Sequence, residues 1–201
     1  MNDWNTNEYG EISIPEMEDN ALIIHNVLSA HGWSDNAISA ILGNMEIESG
    51  LNPARWENDV IGNTSGGYGL VQWTPATKLF NWIDTYFYDG YLPNRNYDSG
   101  YNQLERLLYE LRNNIQYVST NTFKESFREW SVSDKNPGYL AAAFMLNYER
   151  PLDQKWGAQI KRAKSARKWH IFITGIDPGG WIPPAMLITC KKSVDNGRGI
   201  V

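Results

Sequence analysis

The sequence predicts a mainly α-helical fold of about seven helices, with one small β-hairpin that lines a cleft. Two patterns lead to this prediction. Apolar residues recur every three or four positions over most of the chain, as they do on the buried face of a helix. The glycine-rich stretch at 62–67 and the short apolar run after it are instead typical of a tight hairpin. With 201 residues, 42% of them hydrophobic, the chain can bury one ordinary core, so we expect a single domain.

The first two helices are predicted before residue 50. The first begins near Glu18 and ends at Gly32, a residue type that tolerates the left-handed backbone closing a helix. The second follows Ser34, a favourable N-cap, and ends at Glu48, Ser49 and Gly50. Its apolar stripe consists of Ala37, Ile38, Ile41, Leu42 and Met45. A largely buried helix is therefore expected to carry a carboxylate in its last turn.

The remaining helices follow the glycine-rich segment. They are predicted at about 74–86, 101–115, 122–130, 136–150 and 154–172. Thr74 followed by Pro75 is typical of a helix start, and Thr122 with Glu125 matches a capping box. Pro151 should end the sixth helix, because the residue before a proline disfavours the helical region. We expect residues 1–15 to be a loosely held N-terminal extension and residues 176–201 to be a Pro/Gly-rich C-terminal tail or linker.

Composition excludes several classes of function. The single Cys190 cannot form a disulfide within the chain, and with three histidines it makes a metal site improbable, so no metal or cofactor is expected. The chain carries a net charge of −5 and no nucleic-acid-binding motif, which disfavours nucleic acid as a partner. Its amino terminus has no basic start and no apolar core. We therefore expect no export signal and no membrane insertion.

Charge and aromatic residues leave two open questions. Residues 150–201 contain ten Lys and Arg against three Asp, a net charge of +7. The basic run of Lys161, Arg162, Lys164, Arg167 and Lys168 is either a patch for an anionic polymer or the solvated face of a helix. Nine tryptophans and eleven tyrosines either fill the core or present flat faces to sugar rings.

Glu48 has the properties of a glycosidase acid. Breaking a glycosidic bond requires a carboxyl group that is protonated near neutral pH and can donate to the leaving oxygen. Burial on an apolar helix and the negative end of the helix dipole would both favour the protonated form of Glu48. Glu46, two positions earlier, should point elsewhere. On the residues alone, Glu48 could equally be a surface glutamate in a last turn.

Three segments resemble the phage tail lysozyme family: Gly43–Pro53, Gly69–Pro75 and Tyr148–Pro151. The similarity runs from about Ile14 to Gly175 and includes Asn63-Thr64-Ser65. Goose-type lysozymes and soluble lytic transglycosylases share this order of motifs. The resemblance implies a lysozyme-like catalytic domain over residues 16–175.

The activity implied by the resemblance is cleavage of peptidoglycan between N-acetylmuramic acid and N-acetylglucosamine. Such a muramidase would be made in the host cytoplasm without a signal peptide, reside in the virion tail, contact other tail proteins and degrade the host cell wall. Two alternatives stay open. One is a lytic transglycosylase that leaves 1,6-anhydro ends, and the other is a tail module that binds glycan without cutting it.

The resemblance also assigns roles to individual residues. The catalytic glutamate of the family corresponds to Glu48. Gly69 would permit close approach of a sugar, Gln72 would hydrogen-bond an N-acetyl or hydroxyl group, and the Tyr148 hydroxyl would face the reacting sugar. Sugar-stacking candidates are Trp56, Tyr68 and Trp73. Each has a structural alternative, as a hairpin glycine, a loop amide or a core aromatic.

A second carboxylate is missing from its usual position. Animal lysozyme has one two residues before the first glycine of the Gly-x-x-Gln segment, where this chain has Gly67. A retaining mechanism with a protein nucleophile needs a carboxylate about 5 Å from the acid. Three routes remain: Glu57 or Asp59 activates a water, the substrate's N-acetyl group assists, or the sugar's 6-hydroxyl attacks. Glu57 and Asp59 could also be solvated loop charges.

Overall fold

The computed structural model describes residues 4–183, and this part of the chain is mainly helical, as predicted. Its seven α-helices are α1 (Ile14–Ala30), α2 (Asp35–Ser49), α3 (Thr77–Tyr88), α4 (Gly100–Arg112), α5 (Phe127–Ser131), α6 (Pro137–Phe144) and α7 (Trp156–Thr174). A 3₁₀ turn at Glu57–Asp59 and a π-helical turn at Met145–Glu149 complete the list. None of these helices is both long enough and apolar enough to cross a bilayer.

Helix α2 lies at the centre of the fold, where it packs against α7, α6 and α1, and α6 and α7 also pack against each other. Its residues from Ala37 to Met45 are buried on all sides. Gly43 allows this packing, because a Cβ there would lie 2.5 Å from the backbone nitrogen of Ala166 on α7. Most of the tryptophans serve this core: Trp4, Trp33, Trp73, Trp82, Trp130 and Trp169 are buried. The helix that carries Glu48 is therefore fixed by its neighbours.

The predicted β-hairpin is not confirmed. Within residues 4–183 the segment forms two isolated bridges, Trp56 with Tyr68 and Tyr68 with Trp73, and no regular strand. Gly69 and Gln72 both adopt positive φ, so the chain turns before it can extend into a ladder. The glycine-rich stretch at 62–67 correctly indicated that the chain reverses direction, but it did not lead to regular strands.

Two helices begin later than predicted. The Thr74 hydroxyl donates to the Gln72 carbonyl rather than capping a helix, and α3 begins at Thr77. The capping box of α5 is formed by Ser126 and Glu129, so this helix begins at Phe127 rather than near Thr122. The second correction arises because another capping box stands four residues downstream of the first.

The sixth helix ends in a π-helical turn. The backbone N–H of Arg150 donates to the Met145 carbonyl at 2.8 Å, and Arg150 itself is left-handed with φ 50°. The wider turn contains one more residue than an α-helical turn would, which changes the direction of the side chains at its end. Such turns occur often at functional sites, and this one carries Tyr148 and Glu149.

The ends of the described chain pack against the helices. Residues 4–12, expected to be loosely held, are held by buried Trp4, which packs edge-to-face on Tyr101, and by the Asn52 side chain, which donates to Asn7 and Gly10. Beyond α7, the carbonyl of Pro178 accepts from the Asn136 side chain. The rest of the predicted tail, including Cys190, lies outside the described residues.

Candidate active site

A cleft of about 730 Å³ opens at the end of α2, a size typical of small-ligand sites. It is bounded by the last turn of α2, the turns between residues 55 and 74, and the π-helical turn with the loop after it. Its lining consists of Glu48, Arg55, Trp56, Glu57, Asn58, Val71, Gln72, Trp73, Thr74, Lys78, Gln116, Tyr148, Glu149, Arg150, Pro151 and Leu152.

Glu48 reaches this cleft from the last turn of α2, and its side chain is 22% exposed. The next residue anchors the turn: the Ser49 hydroxyl is buried and lies 3.0 Å from the carbonyl oxygen of Leu70 in the cleft floor. Glu46 points away, as predicted, and accepts from Ser165 and from the Trp169 indole on α7. Of the two glutamates, only Glu48 lines the cleft.

Glu48 is part of a buried cluster with Arg162 and Glu149. Arg162, on α7, donates to Glu48 through Nη2, and its Nε and Nη2 both lie 3.0 Å from Oε2 of Glu149. The side chains of Arg162 and Glu149 are 6% and 5% exposed. Oε1 of Glu149 has no hydrogen-bond partner among residues 4–183. Two carboxyl groups thus compete for one guanidinium.

Burial controls the protonation of Glu149. Desolvation raises the pKa of its carboxyl well above the usual range, and the nearby Glu48 carboxylate raises it further, while Arg162 lowers it. The direction is upward because an ionised pair would place two negative charges beside one positive charge in a site with little water. We therefore expect the cluster to hold one proton near neutral pH.

A second buried carboxyl, Glu110 on α4, supports the cleft floor. It is 1% exposed and accepts from the Tyr148 hydroxyl, from Nε1 of Trp73 at 3.2 Å and from Nε of Arg106 at 2.8 Å. Desolvation raises the pKa of Glu110, although Arg106 and the two hydrogen bonds oppose this. The Tyr148 hydroxyl therefore donates to Glu110, whereas the sequence suggested that it faces the sugar.

The predicted sugar-contact residues separate into two groups. Trp56, Gln72, Trp73 and Tyr148 line the cleft, although Trp73 and Tyr148 are almost fully buried and mainly part of the core. Tyr68 and Gly69 do not line it. Tyr68 packs against Trp56 and Phe80 in the core.

Gly69 lies close to the side chain of Gln103 on α4. A Cβ at this position would lie 2.5 Å from Oε1 of Gln103, whose side chain accepts from the Leu70 N–H at 2.8 Å. The amide group of Gln103 also donates to the carbonyls of Pro53 and Tyr97. The glycine is thus needed for α4 to hold the floor of the cleft, which is the structural alternative left open by the sequence.

The position of the missing carboxylate has a physical explanation. A Cβ on Gly67 would lie 2.7 Å from Oε1 of Gln72, so the glycine leaves room for the glutamine side chain. Glu57 lines the cleft and accepts from the Gly67 N–H at 2.7 Å. Asp59 is outside the lining and is paired with Arg55 at 2.8 Å.

Left-handed residues other than glycine are concentrated around the cleft. Seven occur in residues 4–183, and four of these line the cleft: Asn58, Gln72, Gln116 and Arg150. Backbone of this kind costs free energy and clusters at binding and catalytic sites. The Gln116 side chain also donates to the Tyr148 carbonyl, which braces the π-helical turn.

Sequence reasoning gave no role to Glu149 and misplaced Arg162. Glu149 stood inside the third motif beside Tyr148, and Arg162 stood in the basic run that suggested a polymer-binding patch. The spacing of Arg162 with Ala166 and Trp169 puts all three on one face of α7, and this face is buried. Lys168 and Arg167 are also paired, with Glu46 and with Asp177, so most of the run is not a free basic surface.

Comparison with known proteins shows that the chain is similar to phage proteins. The family model described as phage tail lysozyme matches residues 19–172, a range that contains the whole cleft. Morphogenesis protein 1 of Bacillus phage B103 is 43% identical over 164 residues, which are 82% of this chain. The chain spans 42% of the length of that relative.

Proposed function

Because the chain belongs to the phage tail lysozyme family, we propose that it cleaves the glycan strands of bacterial peptidoglycan with Glu48 as the acid. One observation supports this above the others: a partly exposed carboxyl at the end of a rigid, buried helix lies at the edge of a cleft of about 730 Å³. A fixed backbone and an accessible carboxyl are what proton donation to a bound substrate requires.

The proposed bond is the one from C1 of N-acetylmuramic acid to the oxygen of N-acetylglucosamine. Glu48 gives its proton to that oxygen as the C1–O bond breaks, and C1 develops positive charge. In hydrolysis, a water oxygen then bonds to C1, the water gives one proton to a base in the cleft, and proton exchange with solvent restores the acid. General acid catalysis of this kind contributes about 10²–10⁴-fold to rate.

Trp56 and Gln72 are the proposed substrate contacts in the lining. Trp56 is partly exposed and can stack on the apolar face of a sugar ring. Gln72 is held by bonds from its Nε2 to the carbonyls of Arg55 and Gly69, which orient its amide at the cleft. Trp73, Tyr148 and Gly69 would instead hold the floor of the cleft on which the sugar lies.

The second half of the reaction allows two candidates. Hydrolysis needs a group that activates water, and Glu57 is the better of the two loop carboxylates because it lines the cleft, whereas Asp59 is outside the lining. A lytic transglycosylase needs no second carboxylate, because the 6-hydroxyl of the muramic sugar attacks C1 and its proton returns to the ionised Glu48. The glycine at position 67 favours keeping this second candidate.

The biological setting is also a proposal. The relative from phage B103 is named a morphogenesis protein, which fits a component of the virion. We propose that this chain acts from the phage tail on the host cell wall during infection, with other tail proteins as partners.

The test is to compare purified wild type with Glu48→Gln on isolated cell walls. The glutamine keeps the shape of the side chain but has no proton to donate, so we expect release of soluble muropeptides to fall by at least about 100-fold. Glu46→Gln is the matched control, because Glu46 is on the same helix and outside the cleft lining. It should release fragments at close to the wild-type rate.

Two results would count against the proposal. Wild-type release by Glu48→Gln would remove Glu48 as the acid, and wall binding by wild type without release of fragments would support a glycan-binding tail module. Mass spectrometry of the products separates the two enzymes. Hydrolysis gives reducing ends, and transglycosylation gives 1,6-anhydro ends that are lighter by one water.

A further inference from the structure

We propose that Glu149 is a positioning residue that keeps Glu48 in its acid form by sharing one proton with it across Arg162. This inference rests on the proposed function of Glu48. Cleavage of the bond does not itself require Glu149. The fold nevertheless buries this carboxyl beside the acid, which costs free energy of desolvation.

The balance of charge in the buried cluster favours one bound proton. With both carboxyls ionised, the cluster would carry one net negative charge at a site where Arg162 and Glu149 are almost completely buried. Oε1 of Glu149 has no hydrogen-bond partner within the described residues to stabilise a negative charge. Burying an unpaired charge is far more costly than binding a proton, so the cluster is expected to be neutral overall.

The proton of the cluster has two places to lie, one on each carboxyl group. In one arrangement Glu149 is protonated and Glu48 is paired with Arg162. In the other, the O–H bond of Glu149 has broken, an O–H bond has formed on Glu48, and ionised Glu149 keeps the two contacts from Nε and Nη2 of Arg162 at 3.0 Å. Both arrangements contain the same number of protons and the same net charge.

Substrate would select the second arrangement. Glu48 is the more exposed of the two carboxyls, at 22% against 5% for Glu149. A sugar in the cleft covers Glu48 and removes the water that stabilises its ionised form. Glu149 has little hydration left to lose, so the proton moves from Glu149 to Glu48, where it faces the glycosidic oxygen.

Other charged groups around the cluster are few. From α2 only Glu48 faces it, since Glu46 is bonded to Ser165, Lys168 and Trp169. From α7 only Arg162 contacts it. Gln116 braces the turn without carrying charge, and the other charged residues that line the cleft are Arg55, Glu57, Lys78 and Arg150. Within the described residues, the groups that decide where the proton of the cluster lies are therefore Glu48, Glu149 and Arg162.

The test is the pH dependence of muropeptide release by Glu149→Gln, with wild type and Glu46→Gln beside it. Without Glu149, Arg162 is left with Glu48 alone and favours its ionised form. The alkaline limb of the rate profile should therefore move to lower pH by at least about one unit, with a tenfold or greater loss near neutral pH. The rate at the acidic optimum should stay within a few-fold of wild type, and Glu149→Asp should recover part of the shift.

A purely structural role would lower the rate equally at every pH, and that result, or an unchanged alkaline limb, would overturn the proposal. A second measurement keeps Glu149 in place and does not depend on the Glu149→Gln variant. In ¹³C-labelled protein, the carboxyl of Glu149 should titrate at lower pH in Glu48→Gln than in wild type, because the neighbouring charge has been removed. An unchanged midpoint would also overturn the proposal.

The outcomes separate this inference from the function beneath it. If wild type releases no fragments, the proposed function fails. If wild type is active and Glu48→Gln is inactive, but the profile of Glu149→Gln matches wild type, only the role of Glu149 fails.

Discussion

Replacing Glu110 by leucine should strongly lower the free energy of unfolding, because Glu110 is a buried acceptor for three side chains. The substitution removes the only acceptor that Tyr148, Trp73 and Arg106 share within the described residues. Arg106 is 13% exposed, so its guanidinium would be left with little access to water. Glu110→Gln is the comparison, because an amide of the same shape keeps an oxygen that can still accept a hydrogen bond.

The magnitude follows from burial. Removing one partner of a buried ion pair costs about 3–5 kcal/mol, because the other charge remains buried without compensation. In a domain of this size 1 kcal/mol corresponds to roughly 2–4 °C in Tm, so Glu110→Leu should melt about 10 °C below wild type. The amide oxygen in Glu110→Gln can still accept from the same three donors. Glu110→Gln should therefore cost only about 1–2 kcal/mol.

The assay is thermal unfolding at neutral pH followed by circular dichroism, with urea unfolding to obtain the free energy difference. We expect Tm and the free energy of unfolding to decrease in the order wild type, Glu110→Gln, Glu110→Leu. The reasoning would be refuted if the leucine variant melted within about 2 °C of wild type, a shift of less than about 1 kcal/mol. It would also be refuted if the glutamine variant were the less stable of the two.

Two glycines give further predictions. Gly43→Ala should lower the free energy of unfolding by about 1–3 kcal/mol, because the added Cβ would lie 2.5–2.8 Å from the backbone of Ala166. Wild-type stability in urea unfolding would contradict this. Gly67→Ala should change stability by less than about 1 kcal/mol, because it meets the flexible end of Gln72, but it should displace that amide and raise KM for glycan. Unchanged KM would remove Gln72 from the substrate contacts.

The helices could be predicted because each buries an apolar face with a clear period. The predicted second helix, for example, matches α2 in both its Ser34 cap and its end before Gly50. Helix starts were less predictable where two capping signals lie close together, as with Thr122 and Ser126. Local sequence does not decide between them, because the choice depends on which side chains the rest of the fold buries.

The candidate site was predictable in part. Motif order indicated Glu48, and the structure places it in the cleft with Trp56 and Gln72. The partners Arg162 and Glu149 were not found, because they come from helices separated by more than 100 residues from Glu48, and a pairing of this kind leaves no periodic pattern. The π-helical turn that presents Glu149 likewise has no simple sequence signature.

That turn makes the cleft depend on the number of residues in one short segment. A helix advances by about 100° per residue, so a chain with one residue fewer between Met145 and Glu149 could form a regular α-helix there. Its core would survive, but Tyr148 and Glu149 would rotate away from the cleft. A single-residue gap at this place in an aligned relative would therefore mark a protein that has kept the fold and lost the tyrosine–glutamate pair from its site.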